Sequence, residues 1–462
     1  MTAPRHVGVI DIGKTNVKVA VVDLESRSEI GVLKRPNRVL PGPPYPHYDI
    51  EGHWRFICDA LGQLHRQHRI DALSVTTHGA STVLLDDAGN LATPMLDYEF
   101  DGPDSLAAEY DVIRPDFSET GSPRLAMGLN VGAQLFWLLK TCPDLPDRIS
   151  TVLTYPQYWG YRLTGVLASE VTSFGCHTDL WAPWQGGFSS LVERLGLKDR
   201  MAPLKRAGDS LGTVLPEVAE RTGLPEGLPV ACGIHDSNAS LYPHLLSRPA
   251  PFSVVSTGTW VIIMTIGGKN VALDPARDTL INVDAFGNPV SSAKFMGGRE
   301  FDIISKGRNT TCSETEIASV LEKRIMLFPA VDPRSGPFQG RKHSWSVAES
   351  GLSDGERYAA LSFYLALVTS ECLIMTGAAG PIVVEGPFAR NRLFLEMLAA
   401  ATGRPVTTAD GSLTGTSVGA ALLVSRVHHH NEPAWHAPER CIHPDPKLKA
   451  YATAWLERVQ AS

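Results

Sequence analysis

The N-terminal stretch HVGVIDIGKTNVKVAVVDL, residues His6 to Leu24, constrains the fold most strongly, because it decides between two ways of holding phosphate. Its G-x-x-x-x-G-K-T spelling satisfies the Walker A pattern, in which a glycine-rich loop runs from a strand into a helix. The loop residues are instead VIDI, and the apolar residues that follow recur with a period of two, typical of a strand, at Val17, Val19 and Val21. The stretch therefore predicts a β-hairpin, with a tight turn at Gly13–Asn16 and Asp11 at the end of its first strand.

The predicted turn offers groups that bind phosphate and a divalent cation. Backbone N–H groups and hydroxyls of such a turn can face phosphate oxygens, and the Asp11 carboxylate is placed to hold a hydrated magnesium ion. We expect the β- and γ-phosphates of a nucleotide to contact Gly13, Lys14, Thr15, Asn16 and Lys18. A P-loop NTPase is the alternative. It requires a helix after Thr15, which the alternating valines disfavour.

Length and composition indicate two domains and a cytoplasmic protein. A chain of 462 residues exceeds what one hydrophobic core usually supports. The formal net charge of -7 argues against nucleic acid or an anionic membrane as the main partner. No N-terminal signal pattern is present, the longest apolar runs are too short to cross a bilayer, and seven scattered cysteines without a C-x-x-C pair suit a reducing compartment. The sequence leaves open whether the chain forms a homodimer.

A second strand–turn–strand pattern opens the other half of the chain. FSVVSTGTWVIIM, residues 252–264, again places a polar turn with a glycine between two apolar segments. The repetition predicts two related lobes, residues 1–245 and 246–462, each with a phosphate-facing turn. In the second lobe we expect the phosphate contacts from Thr257, Gly258 and Thr259, where glycine permits close approach of the backbone.

Polar residues follow two further predicted strands. The apolar segment 70–77 ends at His78-Gly79, and the segment that begins at Pro229 ends at His235-Asp236. The carboxyl ends of strands are where open α/β sheets bind ligands, so these four residues are candidate ligand contacts.

The motifs, in this order, resemble those of the FGGY family of carbohydrate kinases. VIDIGKTNVKVAVVD resembles the first phosphate motif and STGTW, residues 256–260, the second. GIHDSNASL, 233–241, is similar to the segment with the catalytic aspartate, and EGPFARNRLFLEMLAAATGRPV, 385–406, resembles the adenosine motif. The resemblance covers nearly the whole chain and is greatest to the L-fuculose and L-rhamnulose kinases. It implies an α/β chain with the two-lobe actin/hexokinase/RNase H-like fold and a cleft between the lobes.

The resemblance also implies a role for each candidate residue. Asp236 would be the general base that takes the proton of the acceptor hydroxyl, and its alternative is an ordinary cap on the helix that follows. The expected contacts to the sugar are His78, Gly79, Glu99, His235 and Asp236; those to adenine and ribose are Gly386 and Asn391; and those to magnesium are Asp11 and Asp236. The histidines between 428 and 443 are read as a solvated turn, because no i, i+4 pair or cysteine partner supports a metal site.

The function that the sequence predicts is ATP- and Mg²⁺-dependent phosphorylation of a primary hydroxyl of a small ketose. Some segments depart from the family pattern: residues 96–100 read LDYEF where a Trp or Arg-Asp is frequent, FMGGR replaces an asparagine-preceded glycine loop, and Gly386-Pro387 replaces a run of glycines. These departures leave the sugar open. The alternatives are a kinase for glycerol, a polyol or a signalling sugar, and a non-catalytic sugar-binding regulator on the same fold.

Overall fold

The computed structural model describes residues 4–408, 415–428 and 440–461. The chain divides into a first unit, Met1–Ser247 with Ile281–Pro289 and Ser412–Trp435, and a second unit, Arg248–Leu280 with Val290–Gly411 and His436–Ser462. The division predicted at 245/246 is contiguous, whereas the structure assigns two later segments to the first unit. Most of the histidine-rich segment, residues 429–439, lies outside the described residues.

The part of the chain before residue 248 alternates short strands with helices. Its strands are β1 (His6–Ile12), β2 (Asn16–Asp23), β3 (Ser28–Pro36), β4 (Val39–Leu40), β5 (His47–Tyr48), β6 (Ala72–Thr77), β7 (Thr82–Leu85), β8 (Thr151–Thr154), β9 (Ser169–Glu170), β10 (Trp181–Ala182), β11 (Gly187–Phe188), β12 (Leu204–Lys205), β13 (Ser210–Thr213), β14 (Pro229–Ala231) and β15 (Ile234–His235). Its helices are α1 (Ile50–His68), α2 (Ala107–Ile113), α3 (Phe117–Thr120), α4 (Val131–Thr141), α5 (Leu145–Arg148), α6 (Tyr155–Thr164), α7 (Val171–Phe174), α8 (Ser190–Arg194), α9 (Pro216–Thr222) and α10 (Asp236–Ser247), with 3-10 turns at Gly102–Leu106 and Lys198–Arg200.

The N-terminal hairpin predicted from the alternating valines is confirmed. β1 and β2 pair antiparallel, with Asp11 directly opposite Lys18. The turn closes with the Gly13 N–H donating to the Asn16 carbonyl at 2.9 Å. The P-loop alternative is wrong, because a strand rather than a helix follows Thr15.

The sheet of the first unit is packed on both faces. Its strand order is β13–β14–β6–β1–β2–β3, and β15 also pairs with β6. One face of the hairpin packs in the same cluster as Ile57 and Leu61 of α1, and its members are Ile10, Ile12, Val17, Val19 and Val21. The opposite face packs in the same cluster as Val418 of α15 (Thr416–His428), and its members are Val7, Val9 and Val22. Strands that are buried on both faces are stabilised by apolar side chains on each face, which explains why most residues of β1 and β2 are apolar.

The packing of helix α15 explains why the first unit includes the late segment Ser412–Trp435. A Cβ placed on Gly419 would lie 1.7 Å from the Ala239 carbonyl oxygen, so only glycine allows the close packing of α15 on α10. Small residues such as Ala420 and Ala421 continue this contact as part of the same cluster. The partner of this small-residue helix lies about 180 residues earlier in the sequence, so local pattern does not reveal it.

The remaining elements belong mainly to the second unit. The strands are β16 (Phe252–Thr257), β17 (Val261–Ile266), β18 (Thr279–Val283), β19 (Pro289–Phe295), β20 (Leu327–Phe328), β21 (Ser344–Trp345), β22 (Ile382–Glu385), β23 (Val406–Thr408) and β24 (Arg440–Ile442). Besides α15, the helices are α11 (Gly297–Ser305), α12 (Glu314–Glu322), α13 (Asp354–Met375), α14 (Arg392–Thr402) and α16 (Pro446–Ala461), with 3-10 turns at Pro275–Arg277, Glu349–Gly351 and Pro387–Arg390.

The second sheet repeats the plan of the first. Its order is β18–β19–β17–β16–β22–β23–β24, with the β16–β17 hairpin antiparallel and β16 parallel to β22, as β1 is to β6. Among the described residues one helix, α13, is long and apolar enough to cross a bilayer by length and composition, although the sequence was expected to contain no such segment. The most apolar window of α13 is 78% buried, as in the core helix of a globular unit.

Candidate active site

Three strand ends of the first sheet bring the predicted polar residues together. β6 lies between β1 and β15, and all three run parallel, so their carboxyl ends share one edge of the sheet. Asp11 lies near the end of β1, His78 follows β6, and Asp236 follows β15 as the first residue of α10. The His78 N–H donates to the Ile12 carbonyl at 2.8 Å, which ties the first two of these strand ends to each other.

Asp236 is a fixed carboxylate that remains accessible. Its Oδ1 accepts the Ser237 N–H at 2.6 Å and lies 3.1 Å from His235 Nε2, while 31% of the side chain is exposed. The Asn238 amide nitrogen lies 3.3 Å from His235 Nδ1, and because it donates, Nδ1 must accept. The ring proton is thereby assigned to Nε2, directed at Asp236. Burial raises the pKa of Asp236 above its ordinary value and lowers that of His235 to about 4, so the histidine is neutral.

Asp11 is balanced by a cation from the facing strand. Its Oδ2 lies 2.9 Å from Lys18 Nζ, which also contacts the Glu29 carboxylate at 2.9 Å. Burial raises the pKa of Asp11, Lys18 opposes that shift, and the nearby charge of Asp236 adds to it. Two carboxylates that repel each other are a donor set that magnesium fits, since this ion takes one or two carboxylates and completes its shell with water and phosphate. Across the described ranges, no group of three or more His, Cys, Asp or Glu side chains forms a complete metal cage.

His78 lies inside a box of three tyrosines. Its ring centroid is 5.3 Å from that of Tyr48, 5.2 Å from Tyr98 and 5.1 Å from Tyr155. Its Nδ1 lies 2.9 Å from the Gly79 carbonyl oxygen, whereas its buried Nε2 has no hydrogen-bond partner in the described part of the chain. Burial lowers the pKa of this histidine well below its usual value, which leaves Nε2 a neutral acceptor. A Cβ on Gly79 would lie 2.7 Å from His235 Nε2, so glycine is required there.

Lys14 does not extend freely from the hairpin turn. Its ammonium forms ion pairs with Asp97 and, at 3.1 Å, with Glu99. Thr15 and Asn16, also predicted phosphate contacts, are exposed at the turn. The Asn37 side chain donates to the Gly13 carbonyl at 2.8 Å and holds the turn in place.

The second predicted turn, Gly258–Trp260, is similarly closed, with the Gly258 N–H donating to the Trp260 carbonyl at 2.9 Å. The Thr257 hydroxyl is buried: it donates to the Glu385 carbonyl and accepts the Phe388 N–H at 3.0 Å. This side chain therefore joins the turn to the adenosine motif, and Gly258 and Thr259 are left accessible. Gly386 has φ +78°, and a Cβ there would lie 2.0 Å from the Thr257 carbonyl oxygen.

A cavity of about 450 Å³ opens beside this turn, entirely within the second unit. Its volume falls in the range of small-molecule sites. It is lined by Gly258, Thr259, Gly298, Phe301, Asp302, Thr310, Tyr358, Pro387, Phe388, Arg390 and Asn391. Asn391 lines it while capping α14, since its Oδ1 accepts the Phe394 N–H at 3.1 Å and its Nδ2 donates to Ser362 at 2.9 Å. Aromatic walls with a few polar groups suit a nucleoside.

Two family models match the chain and together cover most of it. The model described as the N-terminal domain of the FGGY family of carbohydrate kinases matches residues 6–242, and the model of the carbohydrate kinase FGGY C-terminal domain matches residues 249–433. The chain belongs to the FGGY family of carbohydrate kinases. The family predicted from the ordered motifs is thereby confirmed.

Individual FGGY relatives agree with this assignment. L-fuculokinase of Escherichia coli (strain K12) is 27% identical over 270 residues, which are 55% of this chain and 55% of that one. The match therefore spans about half the length of the curated relatives. Autoinducer-2 kinase of Escherichia coli (strain ATCC 8739) is 25% identical over 289 residues, 59% of this chain and 53% of that one.

Solved structures extend the similarity to the whole chain. A carbohydrate kinase from Novosphingobium aromaticivorans is 36% identical, with a TM-score of 0.90, and covers 100% of this chain and 99% of its own. A xylulose kinase from Lactobacillus acidophilus, at 15% identity and a TM-score of 0.79 over 99% of this chain and 98% of its own, shows the fold alone. The predicted actin/hexokinase-like class is confirmed.

Several residues of the candidate site were missed by sequence reasoning. Asn238, which fixes the His235 tautomer, lies within the HDSN string but was read only as helix. Asp97 and Tyr98 directly precede the predicted Glu99, and nothing in the local sequence indicates that they contact the hairpin. Phe301 and Asp302 follow the FMGGR segment, whose paired glycines were the one available signal for a close backbone approach.

Proposed function

We propose that this FGGY chain transfers the γ-phosphoryl group of ATP to a primary hydroxyl of a small ketose of the L-fuculose, L-rhamnulose or ketopentose type. The observation that carries the proposal is Asp236, an accessible carboxylate fixed by Ser237 at 2.6 Å and by His235 at 3.1 Å. Phosphoryl transfer requires mainly alignment and charge neutralisation from the protein, and a carboxylate base is the one group it must place accurately.

In this proposal Asp236 accepts the proton of the attacking hydroxyl. Burial raises its pKa, which makes the ionised carboxylate a stronger base than a fully solvated aspartate. The neutral His235 donates through Nε2 without neutralising that charge, and Asn238 keeps the ring in the required tautomer. The reading of Asp236 as a simple helix cap explains the Ser237 contact but not the histidine.

The acceptor sugar is proposed to lie against the tyrosine box. Nε2 of His78 would accept a sugar hydroxyl, which satisfies a buried polar atom that has no hydrogen-bond partner among the described residues. The ring of Tyr98 would pack on the apolar face of the sugar, and the Tyr48 and Tyr155 rings behind His78 would exclude water from the reacting hydroxyl.

The charged residues of the hairpin suit the phosphates of ATP and their magnesium ion. Asp11 and Asp236 would hold a magnesium ion, which would neutralise the phosphate charge as phosphoryl transfer proceeds. Lys18 limits the local excess of negative charge before the nucleotide binds. The exposed Thr15 and Asn16 offer donors to phosphate oxygens.

The nucleoside of ATP is proposed to bind in the cavity of the second unit. Phe301, Tyr358 and Phe388 provide aromatic surface for the adenine base, and the Asp302 carboxylate can accept from ribose hydroxyls. Gly258 and Gly298 provide backbone without side chains near the phosphates.

A kinase for another acceptor is the second candidate. The similarity to autoinducer-2 kinase, at 25% identity, supports a signalling sugar as acceptor, with glycerol or a polyol in the same class. A non-catalytic regulator is disfavoured, since a pure sugar binder has no need of Asp11, Asp236 and two phosphate turns.

The Asp236→Asn variant tests the proposal. A coupled ADP-release assay with L-fuculose, L-rhamnulose, D- and L-ribulose, D- and L-xylulose, erythritol and glycerol first identifies the acceptor. With that acceptor, we expect kcat to fall by roughly 10²- to 10⁴-fold while the affinity for MgATP is unchanged. Near-normal turnover by the variant, or no turnover of any acceptor by the native chain, contradicts the proposal.

Asp354→Asn is the matched control. Asp354 is also an aspartate at the first position of a helix, α13, but it is exposed and lies in the second unit. If the Asp236 effect came from helix capping alone, the two variants would lose comparable stability and neither would lose turnover selectively.

A further inference from the structure

Lys14 was predicted to contact phosphate, but its side chain is directed at the loop 96–100 instead. Its ammonium forms ion pairs with Asp97 and with Glu99 at 3.1 Å, and lies 4.6 Å from the ring centroid of Tyr98 and 5.3 Å from that of Tyr48. Only 24% of its side chain is exposed. A lysine that donates to phosphate needs a free ammonium, whereas this one has two carboxylates and two aromatic faces as partners.

Asp97 is the fixed centre of this group. It is 9% exposed, and its Oδ1 accepts the Tyr48 hydroxyl at 3.0 Å and the Glu99 N–H at 3.2 Å, in addition to the Lys14 ammonium. Its N–H donates to the Pro46 carbonyl at 3.0 Å. The loop 96–100 is thereby joined to the hairpin turn through the two ion pairs of Lys14. We call Lys14, Asp97 and Glu99 the acceptor ion cluster.

The acceptor ion cluster borders the space that the proposed function assigns to the sugar. Tyr98 lies between Asp97 and Glu99 in sequence, and its ring centroid is 5.2 Å from that of His78. The buried Nε2 of His78, which has no hydrogen-bond partner in the part of the chain that the structure describes, belongs to the same tyrosine box. A ligand that satisfies this nitrogen therefore lies beside Tyr98 and close to the cluster.

The charges around this space are unequal. Burial raises the pKa of Tyr98, and the charges of three nearby carboxylates, Glu99, Asp236 and Asp97, raise it further. The cation beside the Tyr98 ring is Lys14, which is already paired with Asp97 and Glu99. A carboxylate on the acceptor would enter an already negative region whose nearest cation is fully engaged, and it would lose hydration without gaining a partner. A neutral polyhydroxy acceptor meets carboxylate acceptors for its hydroxyls and has no such cost.

We propose that the acceptor ion cluster selects acceptors by charge: Lys14 holds the loop 96–100 in position rather than binding phosphate, and the cluster admits neutral sugars while rejecting sugar acids. The claim that the cluster selects neutral sugars, which we call the acceptor half, rests on the proposed function. The claim that Lys14 does not bind phosphate, which we call the nucleotide half, is independent of any acceptor.

The nucleotide half is tested by calorimetric titration of MgADP and of a magnesium complex of a non-hydrolysable ATP analogue. We expect Lys14→Met to bind both within about twofold of the native affinity, and Lys14→Arg to do the same. A loss of about tenfold or more in Lys14→Met, rescued in Lys14→Arg, would make Lys14 a phosphate ligand and overturn the proposal.

The acceptor half is tested with the double variant Asp97→Asn/Glu99→Gln, which leaves the Lys14 ammonium without carboxylate partners. We expect the native chain to prefer its neutral ketose over D-gluconate and D-glucuronate by about 100-fold or more in kcat/KM. The double variant should reduce that preference by about tenfold or more, mainly through a lower KM for the acids. Damage to the fold alone would not lower the KM for an acidic sugar.

Two single variants keep this test interpretable. Glu99→Gln removes only the 56% exposed member of the cluster and should narrow the preference in part without affecting folding. Glu109→Gln changes an exposed carboxylate of α2 and should leave the preference unchanged. A native chain that phosphorylates gluconate as well as the ketose, or a double variant with an unaltered preference, overturns the acceptor half while leaving the kinase proposal intact. If neither neutral nor acidic sugars are phosphorylated, the kinase proposal and the acceptor half fail together, and the titrations alone decide whether Lys14 binds phosphate.

Discussion

Asp11 and Lys18 occupy directly opposite positions of the N-terminal hairpin, and their side chains meet with Oδ2 and Nζ 2.9 Å apart. The pair lies on the sheet face that carries Val7 and Val9, which α10 and α15 cover. Asp236 begins α10, so the sheet face that buries Asp11 also brings it close to the candidate base. Lys18 is therefore the cation that allows two carboxylates to share this edge of the sheet before any nucleotide is bound.

Replacing Lys18 should shift the acid limb of the activity profile. Burial and the charge of Asp236 both raise the pKa of Asp11, and Lys18 is what opposes them. In Lys18→Met the pKa of Asp11 rises further, so the carboxylate that would hold magnesium is protonated at a higher pH. We expect the acid limb of kcat/KM for MgATP to move up by about one pH unit, with a higher Mg²⁺ requirement, whereas Lys18→Arg keeps the native profile. An unmoved acid limb in Lys18→Met would show that Lys18 does not act through Asp11.

Glu170 should make the native fold less stable as the pH rises through neutrality. It is fully buried behind the site: its Oε2 accepts the Thr172 N–H at 3.0 Å and the Thr172 hydroxyl, and that hydroxyl oxygen accepts the His235 N–H at 3.1 Å. Burial raises its pKa from 4.5 to about 8. Between those values the folded state retains a proton that the unfolded state has lost, so the free energy of unfolding falls as pH rises, by about 1.4 kcal/mol per unit.

Glu170→Gln removes this pH dependence while keeping an acceptor for Thr172. Urea unfolding should show the variant gaining about 2 kcal/mol on the native chain between pH 6 and pH 7.5. Parallel curves for the two proteins over this range would mean that Glu170 is ionised in the fold.

His53 should make the native fold less stable as the pH falls below 6.5. It is completely buried, neither ring nitrogen has a hydrogen-bond partner among the described residues, and burial lowers its pKa from 6.5 to about 4. The folded state excludes a proton that the unfolded state takes up below pH 6.5, so the stability is fully present above 6.5 and is lost as the pH falls towards 4. Relative to His53→Phe, the native chain should lose about 2 kcal/mol between pH 6.5 and pH 4.5 in urea unfolding. An equal loss in both proteins would place the acid sensitivity elsewhere.

Local pattern was sufficient to predict the strands of the hairpin and their buried face. It was insufficient to predict which distant residues the polar side chains of the turns contact. Val17, Val19 and Val21 share one buried face because alternation in a strand is a property of the backbone, visible over a few residues. The partner of Lys14 lies 83 positions away, on a loop whose approach to the turn depends on the tertiary structure of the first unit. The same holds for Thr257, whose hydroxyl is bonded to Glu385 and Phe388 rather than exposed to a ligand.

The absence of a side chain at Gly298 should be essential for nucleotide binding. A Cβ at this position would lie 2.1 Å from the Gly258 carbonyl oxygen and 3.0 Å from the Thr259 Cα, both of them backbone atoms of the second phosphate turn. Gly298→Ala must therefore displace either the turn or the start of α11, and both line the cavity that we propose for the nucleoside. We expect KM for MgATP to rise by about tenfold or more, with KM for the acceptor within about twofold of native, because the acceptor residues belong to the first unit. Gly351→Ala is the matched control, since a Cβ there meets no atom of the described residues within 4 Å. Equal effects of the two substitutions on KM for MgATP would contradict a role for this contact in shaping the nucleotide site.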